Sequence, residues 1–190
     1  MGTDLRTSSW RPRNYPRECE RRVSTRDGTE YFIRPIVPED AEREIAFVRS
    51  LSADSRHKRL MYSLRESSAA MVEPYVNVDY DRRMALIALY GAPGHEQIIG
   101  VARYACDDGA RAHEFAVVVA DEWQGRGIAT QLLEELFEYA RAHGVRRLYG
   151  QVLHDNVPML SLTRKLGFSS GACPDDPGLV TVTLEIGAGQ

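Results

Sequence analysis

The chain has 190 residues, 43% hydrophobic and 27% charged, with a net charge of −3. Those totals suit one globular domain with a full core. No apolar run approaches the roughly 18 residues of a spanning helix, and no apolar leader follows Met1, so neither membrane insertion nor secretion is expected.

Residues 1–26 hold seven arginines (Arg6, Arg11, Arg13, Arg17, Arg21, Arg22 and Arg26) against Asp4, Glu18 and Glu20. That segment carries +4 and leaves −7 for the rest. With two prolines and few aliphatic residues, it predicts a solvated arm over 1–21 and a folded domain over 22–190. Cys19, Cys106 and Cys173 have neither zinc spacing nor a disulfide framework, and the five histidines are dispersed. A reduced, cytoplasmic chain without a metal is the expectation.

Residues 28–34 read as a first strand. Pro38-Glu39-Asp40 then opens a helix over 39–51, with Ala41, Ile45, Val48 and Leu51 on one face. A second helix is predicted over 52–64, and a third runs to Val76 from a cap at Ser67 or Ser68. Residues 83–90 and 97–105 are expected to pair as a hairpin around Gly91-Ala92-Pro93-Gly94, and Asp107-Asp108-Gly109 makes the next turn. Residues 113–120 follow as a strand. The main helix spans 124–143, with Ile128, Leu132, Leu133, Leu136, Phe137 and Ala140 at helical spacing. A strand over 146–153, a short helix after Asn156 and a strand over 181–186 complete an α+β order.

One turn carries chemistry. The apolar stretch Phe115-Ala116-Val117-Val118-Val119-Ala120 precedes Gln124-Gly125-Arg126-Gly127-Ile128-Ala129, and a helix begins there. Backbone N–H groups point out of a helix start, the dipole adds positive character, and glycine lets a ligand approach closely. That is an anion site, most simply for phosphate. A dinucleotide fingerprint is excluded, because Thr130 occupies the third glycine position and no acidic residue follows at the required distance. No G-x-x-x-x-G-K-[ST] occurs, which argues against a nucleotide triphosphatase.

The turn matches Q/R-x-x-G-x-G/A after a strand ending Val119-Ala120-Asp121, and Asn156 with Gly167-Phe168 matches a second signature. Over residues 22–186 the chain resembles the GNAT acyltransferases. Residues 79–86 and 114–119 look most like the bacterial protein-lysine acetyltransferases of that superfamily.

The resemblance implies a GNAT fold, a central mixed, mostly antiparallel sheet of about seven strands flanked by helices. It implies acetyl-CoA as co-substrate, with its pyrophosphate on Gln124, Gly125, Arg126, Gly127, Ile128, Ala129 and Thr130. The Arg126 side chain either adds charge to a phosphate or is solvated. The pantetheine arm would pair with the backbone of Val117, Val118 and Val119, and the amide of Val118 or a neighbour would polarise the acyl carbonyl.

Glu114 matches the catalytic glutamate of that strand, with partial burial expected to raise its pKa; otherwise it only meets solvent or an arginine. Asn156 would contact the pantetheine arm or cap the following helix. Thr163 stands where many relatives carry a tyrosine acid, so Ser161 or water is left for that role. The acceptor is expected to be a primary amine, preferably a protein lysine. A small amine is the alternative, as is a non-catalytic acetyl-CoA-binding sensor. No membrane or nucleic-acid partner is expected, and the chain is expected to be a monomer or homodimer.

Overall fold

The computed structural model describes residues 12–60, 69–106 and 112–187. Among these are β1 (Arg21–Ser24), β2 (Glu30–Pro35), α1 (Ala41–Ser50), α2 (Ala53–Leu60) and α3 (Ala69–Val76). Then come β3 (Arg83–Tyr90), β4 (Gln97–Ala105), β5 (His113–Val119), α4 (Ile128–Ala142) and β6 (Arg147–Leu153). The chain finishes with α5 (Val157–Lys165), β7 (Ser169–Ala172) and β8 (Leu179–Glu185).

The strands form one eight-stranded sheet in the order β1-β2-β3-β4-β5-β6-β8-β7. Every neighbouring pair is antiparallel except β5 and β6. The order agrees with the α+β expectation. Sequence reading missed β1 and β7, because each has only four residues and neither shows a buried alternation.

Alternation sends Phe115, Val117 and Val119 to one face of β5 and Glu114, Ala116 and Val118 to the other. The apolar stripe of α4 covers the first face: Ile128, Leu132, Leu133, Leu136, Phe137 and Ala140 are all buried. Each of the Ile, Leu and Phe side chains contributes about 1.5–3 kcal/mol by leaving water. A Cβ on Gly100 would lie 3.1 Å from the Leu132 side chain, so α4 sits directly on β4. On the second face, Arg103 of β4 pairs with Glu44 of α1 at 2.7 Å, and Arg103 is in register with Ala116.

The main helix starts at Ile128 rather than at Gln124. Gly125 (φ 74°) and Gly127 (φ 93°) adopt left-handed backbone that cannot continue a helix. Pro38–Asp40 forms a single 3-10 turn before α1, not its first turn. The expected caps at Ser67 and Ser68, the helix end over 61–64 and the Asp107-Asp108-Gly109 turn lie outside the described residues.

Within the stretch read as an arm, residues 12–21 pack against the domain. Tyr15 (7% exposed) and Cys19 (6%) are buried, and the Tyr15 ring meets Tyr80 edge-on at 5.8 Å. Two anchors are enough to hold such a segment, and an average over arginines hides them.

Gly150 of β6 shows how closely β5 and β6 meet. A Cβ there would lie 2.8 Å from the Phe115 ring, which packs against Phe137 and Phe168. Gly150→Ala is therefore expected to cost about 1–3 kcal/mol through overpacking. Urea titration would check it; an unchanged midpoint would mean that the ring cluster yields freely.

Candidate functional site

β5 and β6 are paired only at His113–Leu148 and Glu114–Tyr149. Beyond Glu114 the two strands part, and a cavity of about 480 Å³ opens along β5. Its size is that of a small-molecule site, which typically spans about 300–1,000 Å³.

The backbone direction along β5 follows from its last contact with β4. The Ala120 amide donates to Ile99 O at 2.9 Å, and Val118 O lies on the Gly100 side. Peptide groups alternate along a strand, so Val118 directs its amide to β4, while Val117 and Val119 direct theirs to the gap. Of the alternatives left open above, a neighbour of Val118 is the donor available to a ligand. Unpaired strand groups need partners, and a ligand with amides can supply them like an added strand.

At the end of β5 the chain makes a 3-10 turn (Asp121–Trp123), then the glycine turn, then α4. Gly127 is the N-cap and no side chain caps it. A Cβ on Gly125 would have nothing within 4 Å, so the ground before the turn is clear. The first amides of α4 thus face the cavity without side-chain partners, as an anion site requires.

Gln124 lines the cavity and also ties elements together. Its side-chain amide donates to Val119 O and to Ser55 Oγ, both at 3.1 Å. Asp121 accepts from the Ser52 amide at 2.9 Å and from the Ser52 and Ser55 hydroxyls at 2.7 Å. Burial pushes the Asp121 carboxyl up, but those hydrogen bonds outweigh it and hold the group below its ordinary range. Together they tie the start of α2 to the glycine turn.

Arg126 is not among the cavity residues. Its guanidinium lies 4.9 Å above the Trp123 ring and 3.4 Å from Asp27. The remaining expected ligands, Val117, Val118, Val119, Gln124, Gly125, Gly127, Ile128, Ala129, Thr130 and Asn156, all line the cavity with Glu114. Asn156 caps α5, accepting from the Met159 amide at 3.3 Å while it lines the cavity wall.

Glu114 is exposed, so the partial burial expected of it is not there. Its backbone is paired to β6 through Tyr149, and the exposure belongs to the side chain. Thr163 is fully buried and its hydroxyl donates to Leu160 O at 3.1 Å, which removes it as a proton donor to the cavity. Ser161 does line the cavity. Trp123 is buried and packs against Tyr90 at 4.6 Å. His154 meets Gly178 O in its loop at 3.2 Å. Among the described residues no cluster of histidine, cysteine or carboxylate side chains could hold a metal ion, and no helix is long and apolar enough to cross a membrane.

Among the polar cavity residues, sequence reasoning missed Arg26, Asp54, Ser55, Gln151 and Lys165. Arg26 was legible in principle. Asp27-Gly28 is a two-residue hairpin signal between Val23 and Tyr31.

An open sheet forked between two parallel strands, with a bare helix start at its foot, has the architecture of an acyl-CoA-dependent transferase. Comparison with known proteins bears this out. The acetyltransferase (GNAT) family model matches residues 55–168. An acetyltransferase of Pseudomonas aeruginosa is 37% identical over 152 residues, covering 79% of this chain and 81% of that protein.

Acetyltransferase Pat of Mycolicibacterium smegmatis is 32% identical over 146 residues, 76% of this chain but 43% of its own length. The crystal structure of the GNAT domain of S. lividans PAT superposes with a TM-score of 0.81 at 30% identity, covering 90% of this chain and 99% of that one. The chain belongs to the GNAT acetyltransferase family, whose members use acetyl-CoA as co-substrate.

Proposed function

We propose that this chain moves the acetyl group of acetyl-CoA to the amine of a protein lysine, with Glu114 as general base. The observation that carries the proposal is the fork itself. Glu114 is the last residue of β5 paired to β6, and the unpaired edge of Val117 and Val119 begins just beyond it. A donor laid along that edge brings its thioester toward Glu114.

The fit to acetyl-CoA rests on three features. The uncapped start of α4 suits a pyrophosphate, and the free edge of β5 suits the amides of a pantetheine arm. The clear space before Gly125 admits both. When bound, the co-substrate supplies an activated acyl carbonyl.

Glu114 receives the proton of the attacking amine as the C–N bond forms and the C–S bond breaks. Keeping a lysine amine neutral at pH 7 costs about 4.6 kcal/mol, which a positioned carboxylate offsets. The Val117 amide is the donor directed at the acyl oxygen. The leaving thiolate needs little help, since thiols of its type have a pKa of about 8.5. Ser161 stands at the cavity wall for that proton; Thr163 does not.

The protein-lysine choice is supported by the resemblance at 79–86 and 114–119 and by the exposure of Glu114. A base at the surface is within reach of a side chain presented by another protein. The test is thiol release from acetyl-CoA at neutral pH with lysine peptides, free amino acids and polyamines as acceptors. The peptides are expected to give kcat/KM about tenfold or more above free lysine. Turnover confined to small amines would transfer the assignment to that class, and acetyl-CoA binding without any turnover would make the chain a sensor.

A further inference from the structure

We infer that Arg26, at the tip of the β1–β2 hairpin, is the side chain that pairs with a phosphate of coenzyme A, in the role that the sequence offered to Arg126. The inference rests on the acetyl-CoA reading above and assigns a residue that the family signature does not contain.

Three contacts, four residues apart along α4, lay the hairpin on the helix. Arg21 pairs with Glu135 at 2.8 Å, the Tyr31 hydroxyl donates to Gln131 Oε1, and Arg26 Nε lies 4.0 Å from the Cβ position of Gly127. Residues spaced by four share one helix face and rise about 6 Å per step. The hairpin therefore runs back along α4 and ends with its tip at the helix N-terminus. That places a guanidinium beside the same uncapped amides that suit an anion.

The tip is built to stay there. Asp27 Oδ1 accepts from the Thr25 hydroxyl, from the Thr29 hydroxyl at 2.9 Å and from the Thr29 amide at 3.2 Å. The Thr25 amide donates to Thr29 O at 3.0 Å, and Gly28 takes the left-handed position of the turn. The same Asp27, through Oδ2, holds Arg126 outward against Trp123. One carboxylate thus organises the loop that presents Arg26 and draws the competing arginine away.

Among the described residues no carboxylate pairs with Arg26, although it lines the cavity. Lys165 also lines it, from the last turn of α5. Asp54 lines it too, so the cavity is not uniformly basic. Arg26 is the cation placed at the glycine turn, and a guanidinium forks onto phosphate oxygens in a way that an ammonium does not.

The test is acetyl-CoA binding by calorimetry, with steady-state kinetics alongside. Arg26→Ala is expected to weaken affinity about tenfold and to flatten its salt dependence. KM should rise with kcat nearly unchanged, as for a contact made equally in ground and transition states. Arg26→Lys should restore part of the affinity. Arg147→Ala, which removes a surface arginine paired with Glu185, should change nothing.

Acetyl-(3′-dephospho)-CoA identifies the phosphate. If Arg26→Ala loses affinity for acetyl-CoA alone, the partner is the 3′-phosphate; equal losses for both place it on the pyrophosphate. Affinity within twofold of wild type, in a variant with unchanged melting temperature, overturns the inference while leaving the acetyl-CoA reading intact. Wild-type protein that fails to bind acetyl-CoA overturns both.

Discussion

Replacing Glu114 with glutamine is expected to lower turnover about 100- to 10,000-fold, the range a general base contributes. The change keeps the side chain's size and removes its ability to take a proton. Acetyl-CoA affinity should move by less than about twofold, because the proposed binding groups are backbone amides of β5 and α4 and the hairpin tip. That split separates the proposed base from a strand-end carboxylate that only meets solvent. Glu114 is in register with Ala105 of β4 on one side and Tyr149 of β6 on the other, so its position is held from both strands. Single-turnover acetyl transfer at neutral pH is the measurement. A rate within a factor of a few of wild type would remove Glu114 from the mechanism.

Asp40→Ala is expected to destabilise the fold by about 3–5 kcal/mol, a large share of a domain's usual stability. Arg34 and Asp40 form a two-pronged pair, 2.7 Å at each contact, with side chains only 4% and 1% exposed. Asp40 also accepts from the Val37 amide at 3.0 Å and from Arg43 at 3.2 Å, just before α1 begins.

Burial pushes the Arg34 guanidinium down, and the hydrogen bonds and charge of Asp40 more than offset it. Removing the carboxylate strands a buried positive charge, which costs more than the pair contributes when both partners are replaced. Arg34→Leu combined with Asp40→Ala should therefore recover part of the loss. Urea unfolding at unchanged m-value reads the effect. A single-variant loss under about 1 kcal/mol would mean that the pair acts like a solvent-exposed one.

The elements most legible in the sequence are those with local causes. The stripe from Ile128 to Ala140 required a helix with one buried face, and all six stripe residues are buried. The glycines at 125 and 127 required a turn at a helix start, and both have positive φ. Asn156 before Val157-Pro158 read as a ligand contact or a cap, and it does cap α5. Each of these depends on a few neighbouring residues, so its physics is complete within a short window.

Charge placement was not legible in the same way. Arg126 lies within the signature turn, yet Trp123 and Asp27 hold it outside the cavity. Arg26 sits just past the predicted arm with no motif around it to suggest a site, yet the hairpin carries it to Gly127, a hundred residues along the chain. Long side chains go where partners from other elements draw them, and those partners are set by sheet order and helix packing. Glu114 shows the same limit: alternation gives its face, but not that its side chain is exposed there.

By itself, then, the sequence determined that a strand runs into a glycine turn and a helix, and hence that backbone amides suited to an anion are expected at that point. The tertiary structure decided the rest of the cavity: where β5 parts from β6, which valine amides turn into the gap, and which arginine stands beside the glycine turn at its wall. Backbone geometry is a local property and can be read from spacing. The fork and the charges around it are long-range, since they arise where residues distant in the chain are packed together.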